Sequence, residues 1–455
     1  MSGPEWVRDA VFYQIFPDRF YNGDKKNDPE DTVNWADEPT TTNFFGGDLS
    51  GIVKKISYLE DLGVNALYLN PVFKSPSNHG YDTEDYYAIE PRLGTTETLK
   101  KLVGELHKRG IKLILDGVFN HCGLGFFAFQ DLIKNGACSE YRDWFFVNFP
   151  VRQDPSPNYR CWRGVPSMPE FNTDNPKTRN YLLRVVKYWI EHADIDGWRL
   201  DCVEYMDPQF VKEITETARR AKPTAYVVGE VMGIGTPWLK GKCLDAVMNY
   251  QLRDLILDFV GGVDAQKFEQ RLYALEMTCP PHAKDVMFNL IGSHDKPRFL
   301  TFSDLKKMKL AVVFQMTYPG APVVYYGDEI GMEGGEDPEC RRTFCWDKKT
   351  QNRDLRTFYR ELIRLRRENE SLRRGDFKVV HTDNAFCFMR ELRKEAIMVL
   401  LNNSADDKRV KIPMENAWEL KTISGEKPVL HEGHISVEVP AWGFGVYGVK
   451  YPPIN

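Results

Sequence analysis

The sequence predicts an α/β fold, a (β/α)8 TIM barrel with a loop-rich insert after strand 3 and a C-terminal antiparallel β-sandwich domain. Three observations predict it. Apolar segments of strand length alternate with helical segments, and eight such segments occur before residue 330, the number that closes such a barrel. Several of them end in an acid or a histidine, at the strand ends where barrel enzymes carry their active sites. Beyond residue 375 the pattern changes to alternating strands and turns.

The composition is that of a globular protein without a polyanionic partner. Among 455 residues, 42% are hydrophobic and 27% charged, and the net charge is −5, so we expect no binding to nucleic acid or to a membrane. The chain starts without the pattern of a secretory signal, and no apolar segment reaches membrane-spanning length. Nine cysteines at irregular spacings are typical of unpaired thiols in a reducing compartment. We expect a cytoplasmic protein, with a monomer favoured over an oligomer.

The loop after the first predicted strand, at 11–15, is dense in short side chains that carry oxygen. Ca²⁺ takes six to eight oxygen ligands, and this loop could wrap one ion if residues 45–48 fold back to complete the site. A solvated turn rich in Asn and Asp fits the same residues, and the local sequence leaves both interpretations open. The loop residues concerned are Asn22, Asp24, Asn27 and Asp28.

The second and third predicted strands each lead into a polar cluster. A helix over 49–62 precedes the strand at 64–70, which is followed by a polar and aromatic loop at 78–82. A helix over 98–108 then precedes the third strand. That strand, 111–116, ends in Asp116 and is closely followed by Asn120 and His121.

The fourth and fifth predicted strands carry the pair of acids that indicates chemistry. The segments 195–201 and 226–230 are apolar runs closed by Asp201 and Glu230, and helical sequence separates them. Consecutive parallel strands present such end residues side by side, which suits acid/base or nucleophilic work. The alternative is a pair of structural acids satisfied by neighbouring arginines or backbone N–H groups. Repetition of strand-end acids along the chain favours a catalytic site.

The remaining pattern completes the barrel and the domain organisation. Strands are predicted at 244–249, 286–291 and 322–326, and a long basic helix over 355–373 follows them. We expect a catalytic barrel from 1–121 and 177–374, an inserted subdomain at 122–176 and a C-terminal β domain at 375–455.

Four strand-end clusters, at 116–121, 197–201, 229–230 and 293–295, together resemble the alpha-amylase family of glycoside hydrolases. The resemblance is specific because four motifs agree in sequence and spacing, and it extends over nearly the whole chain. Segments 168–172 and 337–342 are similar to the neopullulanase, cyclomaltodextrinase and maltogenic amylase branch. That branch usually begins with an extra β domain, whereas this sequence begins directly at the barrel.

The resemblance implies a retaining hydrolase of alpha-1,4-glucosidic bonds in maltodextrins, with cyclodextrins and pullulan as further candidate substrates. Asp201 would be the nucleophile, Glu230 the general acid/base, and Asp295 the acid that holds hydroxyls of the distorted sugar. Arg199, on the same strand face as Asp201, is expected to hold the nucleophile ionised. The other substrate-binding residues that the resemblance implies are Tyr81, His121, His294, Asp337 and Arg341. The calcium ligands that it implies are Asn22, Asp24, Asn27, Asp28, the Gly46 carbonyl and Asp48.

Some positions depart from the branch pattern. Glu204 and Tyr205 stand where the branch typically has Asn and Glu, and Met232 lies in the stretch after Glu230 that usually carries Trp. These positions face the acceptor side, so a 4-alpha-glucanotransferase using the same residues is the nearest alternative. A non-catalytic, sugar-binding relative is a remote one, because such relatives are expected to lose catalytic acids and all three are present here.

Overall fold

The structure is a computed structural model that describes residues 3–153, 156–383, 385–413, 419–431 and 433–451. Eight parallel strands form one sheet in the order β6-β5-β4-β3-β2-β1-β8-β7. A parallel bridge between Met248 and Phe288 joins the two ends of this sheet and closes the barrel, which confirms the predicted fold class. The strands are β1 (Phe12–Ile15), β2 (Ala66–Leu69), β3 (Lys112–Gly117), β4 (Gly197–Leu200), β5 (Tyr226–Gly229), β6 (Ala246–Val247), β7 (Phe288–Leu290) and β8 (Ala321–Tyr325).

The barrel strands are buried on both faces. Every residue of β1, β2, β4 and β5 is buried, as expected for a parallel sheet whose inner face fills the barrel and whose outer face is covered by helices. This explains why the strands appear in the sequence as short continuous apolar runs rather than as alternating patterns. A polar residue within such a run, such as Arg199, therefore has to find its partners inside the protein.

Among the described residues, eight of the sixteen helices begin at side-chain caps. A polar side chain accepts backbone N–H groups of the first helical turn, which satisfies donors that have no intrahelical partner. Examples of such capping residues are Thr95, Asn175, Asp207, Asp264 and Asp304. The helices are Glu5–Arg8, Pro17–Phe20, Leu49–Lys54, Ile56–Leu62, Thr96–His107, Phe127–Asn135, Pro176–Ala193, Pro208–Ala221, Thr236–Lys240, Tyr250–Val260, Ala265–Thr278, Pro281–Lys284, Phe299–Phe302, Leu305–Thr317, Arg353–Glu368 and Glu370–Arg374.

Two helices predicted as continuous are interrupted in the structure. The predicted helix over 49–62 divides at Lys55, which leaves the helical region at φ −108° and ψ 8°. The predicted helix over 355–373 divides at Asn369, whose extended backbone ends one helix and begins the next. The Asn369 side chain donates to the Leu365 carbonyl, and such local side-chain bonds compete with helix continuation.

Loops at the carboxyl ends of the strands carry small additional structures. A two-stranded hairpin, Phe73–Lys74 with Asp85–Ile89, follows β2. Between β3 and the helix Pro176–Ala193, isolated bridges pair His121 with Glu170 and Phe145 with Phe171, so this loop-rich segment folds back over the strand end.

The C-terminal region forms two antiparallel sheets, as predicted. Its strands are β9 (Asp376–Val380), β10 (Phe386–Leu392), β11 (Glu395–Leu401), β12 (Lys408–Pro413), β13 (Glu419–Ser424), β14 (Val429–His431), β15 (His434–Val439) and β16 (Phe444–Lys450). One sheet has the order β9-β10-β11-β16-β13 and the other β12-β15-β14. Buried side chains of both sheets, including Met398 and Val437, form a separate apolar core. The domain boundaries at 121, 176 and 374 stay predictions.

Within the described residues, none of the helices combines the length and the apolar character that crossing a bilayer requires.

Candidate active site

Three acids converge on one buried guanidinium at the carboxyl ends of β3, β4 and β5. Arg199 Nη1 donates to Asp116 Oδ1 and to Asp201 Oδ1, each at 2.8 Å. Its Nη2 lies 3.0 Å from Glu230 Oε2, an ion pair without the geometry of a hydrogen bond. The Arg199 and Asp116 side chains have no exposed surface, and those of Asp201 and Glu230 are 7% and 12% exposed.

Strand register explains why these side chains meet. In the β3–β4 pair, Asp116 stands opposite Arg199, and in the β4–β5 pair, Leu200 stands opposite Gly229. The Glu230 N–H then donates to the Leu200 carbonyl at 2.8 Å. The residues that end the two strands, Asp201 and Glu230, are therefore at the same level of the barrel, as the sequence pattern predicted.

The charges of this cluster are unbalanced, with three carboxyl groups for one guanidinium. Burial raises the pKa of the Asp201 carboxyl, Arg199 opposes the rise, and the neighbouring Glu230 and Asp116 add to it, leaving that pKa well above its usual value. Arg199 is thus the cation that opposes burial and two further acids at Asp201, and the expectation that it holds the nucleophile ionised stays a prediction.

A hydrogen-bond chain connects Asp116 to the loop after β7. Tyr81 Oη donates to Asp116 Oδ2 at 2.9 Å and lies 2.6 Å from His294 Nε2. Gln14 Nε2 donates to His294 Nδ1 at 2.8 Å, so Nε2 carries the imidazole proton. Burial, with Arg341 and Arg199 nearby, lowers the pKa of His294 well below its usual value. His294 is therefore a neutral ring that donates through Nε2, and it stacks on Tyr81 at 5.6 Å between centroids.

Asp295 lines the cavity beside His294. His294 Nε2 lies 3.1 Å from Asp295 Oδ2, and Arg341 Nη2 donates to Asp295 Oδ1 at 3.3 Å. Arg341 also pairs with Asp337 at 3.1 Å and donates from Nε to the His294 carbonyl at 2.9 Å. The three predicted residues Asp295, Asp337 and Arg341 thus form one linked group.

His121 lies at the site, but its N–H is engaged. Its Nε2 donates to the Tyr81 carbonyl at 3.0 Å, and Asn120 Nδ2 lies 3.3 Å from Nδ1. Burial lowers the pKa of His121 to about 4, so the ring is neutral near pH 7 and has only that one N–H. The expected donation to a sugar hydroxyl is therefore not available in this arrangement.

The residues surround an open cavity of about 250 Å³. Four of its lining residues, His79, Trp162, Met168 and Cys202, were not among the predicted site residues. Trp162 belongs to the loop-rich insert, and its buried Nε1 has no hydrogen-bond acceptor among the described residues. The sequence signals were present but weak, an aromatic cluster in a long insert and a cysteine directly after the strand-end acid.

The structure brings together most of the predicted calcium ligands, between β1 and the helix Leu49–Lys54. Asn22 Nδ2 donates to Asp28 Oδ1 at 2.7 Å, and the buried Oδ1 atoms of Asn22 and Asn27 have no hydrogen-bond partner among the described residues. Gly46 has a φ of +79°, and a Cβ there would lie 2.5 Å from Asp28 Oδ1. Unpaired amide oxygens beside a carboxylate are a donor set that fits Ca²⁺.

Two predicted calcium ligands have other partners. Asp48 Oδ2 accepts the N–H groups of Gly23 and Asp24 at 3.1 and 2.7 Å, and its Oδ1 accepts Gly51 N–H. The exposed Asp24 side chain accepts Lys26 N–H at 3.2 Å. Direct coordination by these two residues would require their side chains to share or exchange these partners.

This chain is similar to known proteins over nearly its whole length. The family model described as "Alpha amylase, catalytic domain" matches residues 14–374. A cyclomaltodextrinase of Geobacillus thermopakistaniensis is 44% identical over 460 residues, covering 99% of this chain and 78% of the relative. An intracellular maltogenic amylase of Bacillus subtilis is 40% identical over 450 residues, covering 96% and 76%. The ligand-free structure of the cyclic alpha-maltosyl-(1→6)-maltose hydrolase from Arthrobacter globiformis superposes with a TM-score of 0.91 at 37% identity, covering 99% and 100%.

Proposed function

The chain belongs to the alpha-amylase family of glycoside hydrolases, and from this premise we propose that it hydrolyses alpha-1,4-glucosidic bonds in maltodextrins with retention of configuration. The observation that carries the proposal is the contact of Asp201 and Glu230 with the same guanidinium at the wall of an open cavity. Acids so close favour the short spacing of retaining enzymes over the wider spacing that holds a water molecule between them.

In the proposed mechanism Asp201 attacks the anomeric carbon while Glu230 donates its proton to the departing glycosidic oxygen. This forms a covalent glycosyl-enzyme, and Glu230 then removes a proton from the water that attacks the same carbon and releases Asp201. One guanidinium among three buried acids favours retention of a proton in the cluster, and the mechanism places that proton on Glu230.

Other residues of the cavity hold the sugar. Asp295 accepts hydroxyl protons of the distorted ring. His294 lines the same cavity, and donation from its Nε2 to a sugar hydroxyl would replace its contact with Tyr81 Oη. Tyr81 offers its ring face, an apolar surface suited to a sugar. Trp162 adds a second aromatic ring to the cavity lining. Arg341 and Asp337 line the cavity next to Asp295 and contact the neighbouring sugar.

Cyclodextrins and pullulan are further proposed substrates, in keeping with the cyclomaltodextrinase relative and with the cyclic maltosyl-maltose hydrolase that superposes on the whole chain. The second candidate function is 4-alpha-glucanotransfer. Exposed Tyr205 and Met232, in the loops that follow Asp201 and Glu230, favour it, because an apolar surface there could bind a sugar acceptor in competition with water. Retention of all three acids disfavours a purely sugar-binding role.

We also propose a structural Ca²⁺, held by Asn22, Asn27, Asp28 and the Gly46 carbonyl, with Asp24 and Asp48 completing the site. The ion would supply positive charge that ties the loop after β1 to the segment before the helix Leu49–Lys54. A cytoplasmic location is proposed from the intracellular maltogenic amylase relative and from nine cysteines without a disulfide partner. A monomer is the proposed oligomeric state.

The test is a time course of products from maltotriose, beta-cyclodextrin and pullulan, each with and without labelled glucose. A retaining hydrolase is expected to release short unlabelled products. NMR should first detect these products in the same anomeric configuration as the bond that was cleaved. Early labelled oligomers longer than the substrate would establish transfer instead. Release of the opposite anomer would contradict retention, and no turnover of any substrate would contradict both functions.

A further inference from the structure

Cys202 contacts both catalytic acids. Its Sγ donates to Asp201 Oδ2 at 2.8 Å, and its backbone N–H donates to Glu230 Oε2 at 3.0 Å. The residue is buried, with 7% of its surface exposed, and it lines the cavity. It directly follows Asp201, so a single residue connects the acid that ends β4 with the acid that follows β5.

The backbone of Cys202 is in the left-handed region, which makes this double contact possible. Its φ is +52° and its ψ 38°, a conformation that non-glycine residues rarely adopt. The short turn is closed by the Tyr205 N–H, which donates to the Cys202 carbonyl at 2.9 Å. Strain of this kind persists where the surrounding structure requires it, often at functional sites.

The two oxygens of Asp201 have different partners. Oδ1 accepts from the buried Arg199, whereas Oδ2 accepts from the Cys202 thiol. Among the described residues, the thiol is the one side-chain donor to Oδ2. Because Oδ1 is engaged by the buried guanidinium, Oδ2 is the oxygen that the proposed mechanism directs to the anomeric carbon.

We propose that Cys202 is a positioning residue whose S–H group orients Asp201 Oδ2 for attack and stabilises it when it departs. The inference rests on the proposed retaining hydrolysis and deepens it. Burial, with Asp201 and Glu230 nearby, raises the pKa of the Cys202 thiol far above its usual value, so the group remains an S–H donor. No proton of the thiol is consumed in either chemical step.

The hydrogen bond between the Cys202 thiol and Asp201 Oδ2 changes in both chemical steps. When Oδ2 bonds to the anomeric carbon, the glycosidic bond breaks, its oxygen takes the Glu230 proton, and the S–H loses its charged acceptor. When water attacks, it transfers a proton to Glu230, the carbon–Oδ2 bond breaks, and the S–H donates again to the carboxylate. The thiol therefore assists the second step, because the hydrogen bond to the negative oxygen forms as the charge develops there.

The experiment compares Cys202→Ala, which removes the donor, with Cys202→Ser, which keeps a donor on an equally small side chain. Both variants keep the backbone N–H to Glu230, and both replace one non-glycine residue by another at the same positive φ. Cys138→Ala, at an exposed cysteine outside the site, controls for loss of a thiol. Alpha-maltosyl fluoride is the substrate, and kcat, KM and the glycosyl-enzyme fraction by rapid quench and intact mass are measured.

Cys202→Ala is expected to lower kcat about five- to twentyfold, near the lower end of the range for a hydrogen bond to a charged group, because a thiol is a weak donor. Because deglycosylation slows, the glycosyl-enzyme fraction should rise and KM should fall. Cys202→Ser should recover to within about threefold of the wild-type kcat, and Cys138→Ala should match the wild type. Equal losses in the Ala and Ser variants, or wild-type behaviour of both, would overturn the proposal.

A second measurement needs no turnover. The S–H stretching band of Cys202, identified in the infrared difference spectrum against Cys202→Ala, should lie at the low frequency of a hydrogen-bonded thiol and shift upward in Asp201→Asn. A band that does not respond to Asp201→Asn would overturn the inference even where kinetics are altered. Wild-type protein that forms no glycosyl-enzyme and no product contradicts the proposed function itself. A wild-type adduct with unchanged variants contradicts only the role of Cys202.

Discussion

The two ends of strand β4 carry buried acids in opposite charge environments. Asp196, directly before β4, pairs with two cationic side chains, with Lys222 Nζ at 2.9 Å and Lys112 Nζ at 3.1 Å, and His107 Nε2 lies 2.7 Å from it. Asp201, directly after β4, shares a single guanidinium with two other acids. The first acid has an excess of cations and the second a deficit.

The pKa values express this difference. Burial raises the pKa of Asp196, but hydrogen bonds from His107, Lys222 and the Leu113 N–H outweigh this rise. The resulting pKa lies well below the usual value. The pKa of Asp201 lies well above its usual value. The amino end of the barrel therefore uses its acid for stability, and the carboxyl end retains an electrostatic conflict that catalysis can use.

The largest expected effect is at the carboxyl end. Asp201→Ala and Glu230→Gln should each lower hydrolysis of maltotriose about 10⁴-fold or more, because each removes a group that forms or breaks a bond in the proposed reaction. The thermal midpoint should stay unchanged or rise, since one acid has been removed from a crowded cluster. Wild-type-like turnover in either variant, measured with purified folded protein, would contradict the roles assigned here.

At the amino end the reverse is expected. Asp196→Asn should lower the free energy of unfolding by about 3 kcal/mol, because it leaves His107, Lys112 and Lys222 around a neutral group. The turnover number of the folded variant should remain close to that of the wild type. Urea unfolding and activity, measured on the same preparation, check both parts. A stable but inactive Asp196→Asn would show that the two ends are not separable.

Calcium removal tests whether the loop after β1, at the carboxyl end of the barrel, binds a cation. EDTA should lower the thermal midpoint by several degrees, since an ion bound at a hundredfold excess over its Kd adds about 2.7 kcal/mol to the folded state. Added Ca²⁺ should restore the midpoint, and Asp28→Asn should reduce the response. A melting curve that EDTA leaves unchanged, in protein shown by metal analysis to hold no calcium, would contradict the proposed calcium site.

The pH dependence of stability should have opposite signs at the two acids. The folded pKa of Asp196 lies below the reference of 3.8, so its stabilisation is full above about pH 4 and is lost as pH falls. The folded pKa of Asp201 lies above 3.8, so its ionisation costs stability as pH rises past about 4.

Urea unfolding at pH 7, at pH 4 and at a lower pH would show the two signs. Relative to the wild type, Asp201→Asn should gain stability between pH 4 and pH 7, because the variant carries no group to ionise. The deficit of Asp196→Asn should be nearly equal at pH 7 and pH 4 and should shrink only at lower pH. Two variants with the same pH slope would contradict the comparison.

The smallest expected effect concerns the loop that carries Glu230. The exposed Glu204 carboxylate accepts the N–H groups of Met232 and Gly233 at 3.1 and 3.2 Å, which connects the loops after β4 and β5. Glu204→Ala should lower kcat about three- to tenfold, because the loop that carries Glu230 becomes less well held. The free energy of unfolding should change little. Glu204→Gln, which keeps one acceptor oxygen, should lie between Ala and wild type. Equal kcat in all three proteins would exclude this connection.

Much of the fold and the position of the site could be predicted from the sequence. The continuous apolar runs that become β1 to β8 are local features, and a strand end is marked by the residue that ends the run. Because parallel strands all point one way in a closed barrel, Asp116, Asp201 and Glu230 had to meet at one rim. The helix divisions at Lys55 and Asn369 could not be predicted, because helical periodicity continues across both positions.

Tertiary structure alone decided how the side chains of the site are used. Gln14 lies 280 residues from His294 in sequence, and closure of the barrel brings the two together and assigns the imidazole proton. The Tyr81 carbonyl takes the His121 N–H, and the left-handed turn at Cys202 directs its thiol to Asp201. Sequence patterns determine which residues reach the rim because strand periodicity is local. The direction of each proton depends on distant partners, which only the folded chain brings within hydrogen-bonding distance.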